Sequence, residues 1–115
     1  RYIAIDSQSN VYVGDNTGNF LLTKLNSSGN QVWKWTAPAF IGGVAVDSQS
    51  NAYVGANGTA YSYTYGYIYK LNSSGKQLWL WQTPKNVPIS VAVDRKFNLY
   101  VGDNEGYVTK LQTAK

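Results

Sequence analysis

An all-β chain of tandem β-propeller blades is what this sequence predicts, and three observations predict it. First, one phrase occurs three times: AIDSQSNVYVG at 4–14, AVDSQSNAYVG at 45–55 and AVDRKFNLYVG at 92–102. Second, the copies lie 41 and 47 positions apart, counted from Asp6 to Asp47 and from Asp47 to Asp94. Periods of roughly 40–50 residues with strand-like content point to propeller blades rather than to helical solenoids. Third, the composition suits pleated, half-buried surfaces. Aromatic residues are 15% of the chain, with ten Tyr and four Trp, and the eleven Gly fit a chain that turns often.

Each period holds four short strands. The first is Ile3-Ala4-Ile5, Val44-Ala45-Val46 and Val91-Ala92-Val93. Its β-branched, small, β-branched order has period two, and the central Ala permits the close approach an innermost strand needs. The second strand is Val11–Gly14, Ala52–Gly55 and Leu99–Gly102. The third covers roughly Asn19–Leu25, Tyr65–Leu71 and Tyr107–Leu111, and the fourth Gln31–Thr36 and Gln77–Gln82. The third copy stops before its fourth strand. The chain therefore divides into blade 1 (about 1–38), blade 2 (about 39–86) and an incomplete blade 3 (about 87–115), about 2.75 four-stranded antiparallel blades. No segment shows helical periodicity.

The turns explain their own residues. Asp6 to Asn10 joins the first two strands, and Asp and Asn cap such turns and tolerate left-handed backbone. Asn26-Ser-Ser-Gly29 and Asn72-Ser-Ser-Gly75 join the third and fourth, with Gly supplying positive φ. Asn26, Asn57 and Asn72 lie in Asn-x-Ser/Thr sequons, read here as turn chemistry. Trp33 and Trp79 each follow the turn Gly by four residues, and Trp35 and Trp81 share their strand face. A Trp buries roughly 150–250 Å², so Trp33 and Trp79 are read as wedges between blades.

These phrases resemble the PQQ-like, or quinoprotein-like, propeller repeats of bacteria, and the bacterial SBBP-type repeat with its AVDxxGNxYVTG and KLxxxGxxxW phrases. The resemblance runs along essentially the whole chain. It implies four-stranded blades around a channel, with Gly29 and Trp33, then Gly75 and Trp79, as the family's docking phrase. Nothing matches the vicinal cysteine pair of the quinoprotein dehydrogenases, because there is no Cys. A fragment of such a dehydrogenase is one alternative reading.

Fewer than three blades do not close a ring, for which four to eight are usual. The missing Met and the ragged ends lead to the expectation of an excerpt from a longer propeller. The other expectation is a ring completed by further copies of the chain.

Composition narrows the chemistry. There is no His, which excludes His-dependent triads, and no Cys for thiolate metal sites. The acids are explained as turn residues one per blade, Glu105 is the single Glu, and no cofactor or metal is expected. Net charge is +4, but Arg95-Lys96 is the sole basic pair, too sparse a footprint for nucleic acid. No apolar run approaches the ~18 residues of a membrane helix. The expected role is a non-catalytic binding or interaction scaffold in a bacterial or phage extracytoplasmic protein.

Strand alternation puts the two–three turns and the inter-blade connections on one face of the ring, and all length variation falls there. From the strand-two Gly to the repeated Lys there are fifteen steps in blade 2 (Gly55 to Lys70), against ten (Gly14 to Lys24) and eight (Gly102 to Lys110). The insertion holds Tyr61, Tyr63 and Tyr65, with Tyr67 and Tyr69 beyond. An extended chain places all five on one strand face. Two readings stand: a lengthened hairpin packing its rings on neighbouring blades, or a Tyr- and Ser-rich binding loop for a protein or, lectin-like, a carbohydrate, with Phe40 as companion.

Overall fold

The computed structural model describes residues 2–16, 20–38, 40–57, 66–82, 88–103 and 105–112. The strands are β1 (Tyr2–Ile5), β2 (Val11–Asp15), β3 (Leu21–Leu25), β4 (Gln31–Thr36), β5 (Phe40–Val46), β6 (Ala52–Asn57), β7 (Tyr67–Leu71), β8 (Gln77–Gln82), β9 (Pro88–Val93), β10 (Asn98–Asp103) and β11 (Val108–Gln112). They form three antiparallel meanders: β1-β2-β3-β4, β5-β6-β7-β8 and β9-β10-β11. Sequence neighbours pair, so each sheet is an antiparallel meander in chain order.

The turns form as their residues dictate. The Asp6 Oδ1 accepts the backbone N–H groups of Gln8 and Asn10, both at 2.9 Å. Asp47 and Asp94 repeat this at Gln49/Asn51 and Lys96/Asn98. The left-handed residue is neither Asp nor Asn, however. It is Ser9 (φ 64°), Ser50 (63°) or Phe97 (64°), the residue just before the Asn. The Asp carboxylate is committed to the turn's N–H groups, so the reversal falls on the next free position. There the Ser50 and Phe97 side chains gain burial, at 8% and 6% exposure. In the three–four turns Asn26 and Asn72 cap in the same way, and Gly29 and Gly75 both sit at φ 85°.

Period-two alternation decides which face each side chain joins. One face of blade 1 carries Tyr12, Leu22, Trp33 and Trp35, and packs on Val44, Val54, Tyr69 and Leu71 of blade 2. The opposite face of blade 2 carries Tyr53, Ile68, Trp79 and Trp81, and packs on Val91, Val93, Leu99 and Val101 of blade 3. Each core thus lies between blades. Tyr12, Leu22, Tyr53, Ile68 and Leu99 are fully buried there. Near the axis β5 lies between β1 and β9. A Cβ at Gly43 would come within 3.1 Å of the Ser90 Cα, so the innermost strands touch backbone to backbone. The expectation of a small residue at that crossing is met two residues before the predicted Ala45, at Gly43.

Contacts at both ends of the strands lock blade 1 to blade 2. The Trp33 indole N–H donates to the Ser73 carbonyl at 2.9 Å, and the Lys24 ammonium donates to the same oxygen at 3.0 Å. The Trp33 ring lies directly over Gly75, where an added Cβ would meet it at 2.8 Å. At the other end of the strands, the Asn16 side chain accepts from the Ile41 N–H (2.8 Å) and donates to the Ile41 carbonyl (3.0 Å), imitating a strand partner. Asn16→Ala is expected to lower stability by about 1–2 kcal/mol, since two part-buried backbone groups lose their partners. A urea midpoint unchanged from the parent would show that water replaces both bonds.

Candidate functional site

The two ends of the strands carry different chemistry. At the end of the two–three turns, aromatic rings gather along the seam between blades 1 and 2. Phe20 precedes β3, and Phe40 opens β5. The register places Phe40 opposite Asn57, the last residue of β6 and the root of the blade 2 insertion. The two rings stand 4.7 Å apart, and both are half-buried. The Ala37 N–H donates to the Phe20 carbonyl at 2.7 Å, which closes the turn from β4 into this rim. Tyr67 emerges on the far side of the insertion, 6.1 Å from the Tyr69 ring, and Tyr69 packs at 5.2 Å on Trp35. Burial, with Tyr67 beside it, pushes the Tyr69 phenol above its ordinary range.

Of the residues singled out from sequence, Phe40 is the first residue of β5 rather than part of an inter-blade connection, and it pairs with Asn57, where the insertion begins. Tyr61, Tyr63 and Tyr65 lie outside the described residues. Trp33 and Gly75 form the docking contact above, and Trp79 packs in the blade 2–blade 3 core, with its ring 6.2 Å from Tyr53. Gly29 has the turn geometry of Gly75 but no ring against it. Phe20 and Asn16 escaped the sequence reading. Both fall in the first two–three connection, outside the repeated phrases, and only the pairing of β2 with β3 brings them beside β5.

The opposite end is polar. The one–two turns of all three blades border a shallow hollow of about 340 Å³. Ile5, Val46 and Val93 form its wall, and Asp6, Asp47 and Asp94 its rim. The acids therefore share one hollow, although their spacing of one per blade suggested they would not converge. Their oxygens are turned into the turns. The Asp6 Oδ2 accepts from the Tyr12 hydroxyl (2.9 Å), the Asn10 amide (3.0 Å) and, across the blade boundary, the Ser50 hydroxyl (3.0 Å). Burial opposes ionisation of Asp6, but the Asn10, Tyr12 and Gln8 hydrogen bonds outweigh it and hold the carboxyl at about 2. The Asn98 backbone and side chain hold Asp94 at about 2 as well. Burial and the neighbouring Asp6 push the Tyr12 phenol well up. At the equivalent position Asp47 takes the Tyr53 hydroxyl at 2.8 Å, with Phe97 standing where Ser50 stands for Asp6. Among the described residues no three acids group closely enough to hold a metal ion. Three lysines complete the pattern. Lys24, Lys70 and Lys110 lie over the rings of Tyr12, Tyr53 and Tyr100 at 5.3, 5.4 and 5.9 Å. The repeated Lys-Leu pair was visible in the sequence; its role as a cation over the neighbouring strand's Tyr was not.

No protein-family model matches the chain, and no curated protein sequence matches it. Solved structures do resemble it. A protein of unknown function from Bacteroides caccae superposes with a TM-score of 0.64 at 14% identity, over 98% of this chain and 45% of that one. The Dos1 propeller superposes with a TM-score of 0.61 at 15% identity, over 90% of this chain and 30% of that one. The chain thus spans less than half the length of either. At such identities the likeness concerns the fold alone. Three stacked antiparallel meanders and a propeller among the similar structures make this chain a set of partial β-propeller blades.

Proposed function

We propose that the chain is a non-catalytic binding scaffold whose ligand sits on the two–three-turn face, over the seam between blades 1 and 2. One observation carries this reading. The half-buried Phe20–Phe40 pair lies where the Tyr- and Ser-rich insertion begins, with Phe40 paired to Asn57. The polar hollow at the other end is a weaker candidate, because its carboxylates are already committed to their own turns. The repeat phrases keep their likeness to PQQ-like and SBBP-type bacterial repeats, and an extracytoplasmic setting follows that likeness.

The same ring pair favours a lectin-like version of the reading. Half-buried aromatic rings suit stacking against the apolar face of a sugar. Phe40→Ala and Tyr63→Ala are each expected to lower binding at least tenfold on a glycan array, with the far-ultraviolet circular dichroism unchanged. A blank array from the folded parent would remove the carbohydrate version. Binding to arrayed sugars that survives both substitutions would place the ligand elsewhere and overturn the site.

A further inference from the structure

The outer strands β4 and β8 differ at one repeat position that governs strand pairing. β4 pairs with β3 and β8 with β7, and neither has a second neighbour among the described strands. In the middle blade β5 is innermost, so β8 runs along the outer rim. Its edge points away from the neighbouring blades, and its exposure does not depend on how many blades stand beside it. An open edge presents a row of N–H and C=O groups to any further strand, and a Lys within the strand is a common guard against such pairing. β4 has that guard. It reads Gln-Val-Trp-Lys-Trp-Thr, with Lys34 exposed near its centre. β8 reads Gln-Leu-Trp-Leu-Trp-Gln, with Leu80 in the place of Lys34 and no charge along its length. Leu78 and Leu80 are each 48% exposed, although Leu80 stands opposite Tyr69 and shares the face turned to blade 1. Trp79 and Trp81, on the other face, pack against the core between blades 2 and 3.

We infer that β8 pairs antiparallel with the β8 of a second copy of this chain, edge to edge, so that two four-stranded middle blades become one continuous sheet. The strand is its own complement. With a two-fold axis perpendicular to the sheet at Trp79, Leu78 of each copy lies opposite Leu80 of the other. Residues directly opposite in an antiparallel pair share a face, and apolar pairs of this kind stabilise it. The same register sets Lys76 of one copy against Gln82 of the other, so no like charges oppose each other. The exposed leucines lose water on pairing, and each copy gains partners for the edge groups of β8. A β4 edge in that place would set the Lys34 ammonium beside the leucines, where desolvation opposes it. The contact uses the same strand on both copies, so it is isologous and closes at two.

The test is sedimentation velocity on the 115-residue chain at about 0.1 mM, where an interface of ~10 μM Kd is well populated. The expected species has twice the 12.7 kDa chain mass. Leu80→Lys, which gives β8 the residue of β4, is expected to weaken dimerisation at least tenfold. The side chain is already half exposed in the single chain, so the variant should keep its circular dichroism spectrum. Introduced cysteines report the register, since the chain has no Cys of its own. An equimolar mixture of Leu78→Cys and Leu80→Cys chains is expected to form the disulfide between copies faster than either chain alone, because those two positions face each other across the axis. A monomeric parent would overturn the proposal, and so would a dimer that Leu80→Lys leaves intact. Cross-linking no faster in the mixture than in the separate chains would overturn the antiparallel pairing of β8.

Discussion

Asp6→Ala is expected to destabilise the chain by about 4 kcal/mol, a large share of the ~5–15 kcal/mol that holds a domain together. The carboxylate accepts from the backbone N–H groups of Gln8 and Asn10, the Asn10 amide, the Tyr12 hydroxyl and the Ser50 hydroxyl. Two of those donors, on Tyr12 and Ser50, are buried, and an unsatisfied buried donor costs roughly 1–3 kcal/mol. Ser50→Ala removes one bond from an acceptor that keeps the others, so about 1 kcal/mol is expected. A urea titration of the two variants measures the ratio. Equal losses would mean that the bond across the blade boundary matters more than the turn it joins.

The same carboxylate sets an acid limit. Asp6 is held at about 2 in the folded chain, below its ordinary value of 3.8. Its depressed value means that its contribution is complete above pH ~4 and is lost as the pH falls through ~2. Asp94, also held at about 2, acts in the same direction. The urea midpoint should fall through the window from pH 4 to 2, and the fall should be shallower in Asp6→Ala. Parallel curves would show that other carboxylates carry the acid response.

Gly75→Ala is expected to cost about 3 kcal/mol, and Gly29→Ala only about 1. The two glycines have the same backbone angle, φ 85°, so an added methyl group meets the same left-handed strain at both. At Gly75 it also meets the Trp33 ring at 2.8 Å, and moving the ring breaks the indole N–H bond to Ser73. Among the described residues nothing lies within 4 Å of the corresponding point at Gly29. The difference between the variants, read from chemical denaturation, isolates the contact between blades from the turn. Equal losses would mean that the indole relocates without cost.

Much of this architecture was legible from repetition. A phrase recurring with the same turn residues makes the same hairpins each time, because Asp6, Asp47 and Asp94 each accept the backbone N–H groups two and four residues on. Local chemistry of that kind is written in adjacent letters. Trp33 announced itself by spacing from Gly29, yet its seat is Gly75, in the following blade. The floor of the proposed site was half legible. Phe40 was legible as a companion of the insertion in the two–three turn, but Phe20 became its partner only when β3 and β5 were brought together across the seam.

Strand order, turn type and the alternation of faces follow from the letters alone, since they depend on side-chain period and on hydrogen bonds reaching no further than one turn. Which copies of a repeated residue are buried does not. Leu22, Ile68 and Val108 occupy one repeat position, yet the first two are sealed and the third is 72% exposed. The same holds for Ser50 against Ser9 and for Lys24 against Lys110. Burial in this fold is a property of neighbouring blades, and only the stacking of sheets decides whether a neighbour is there.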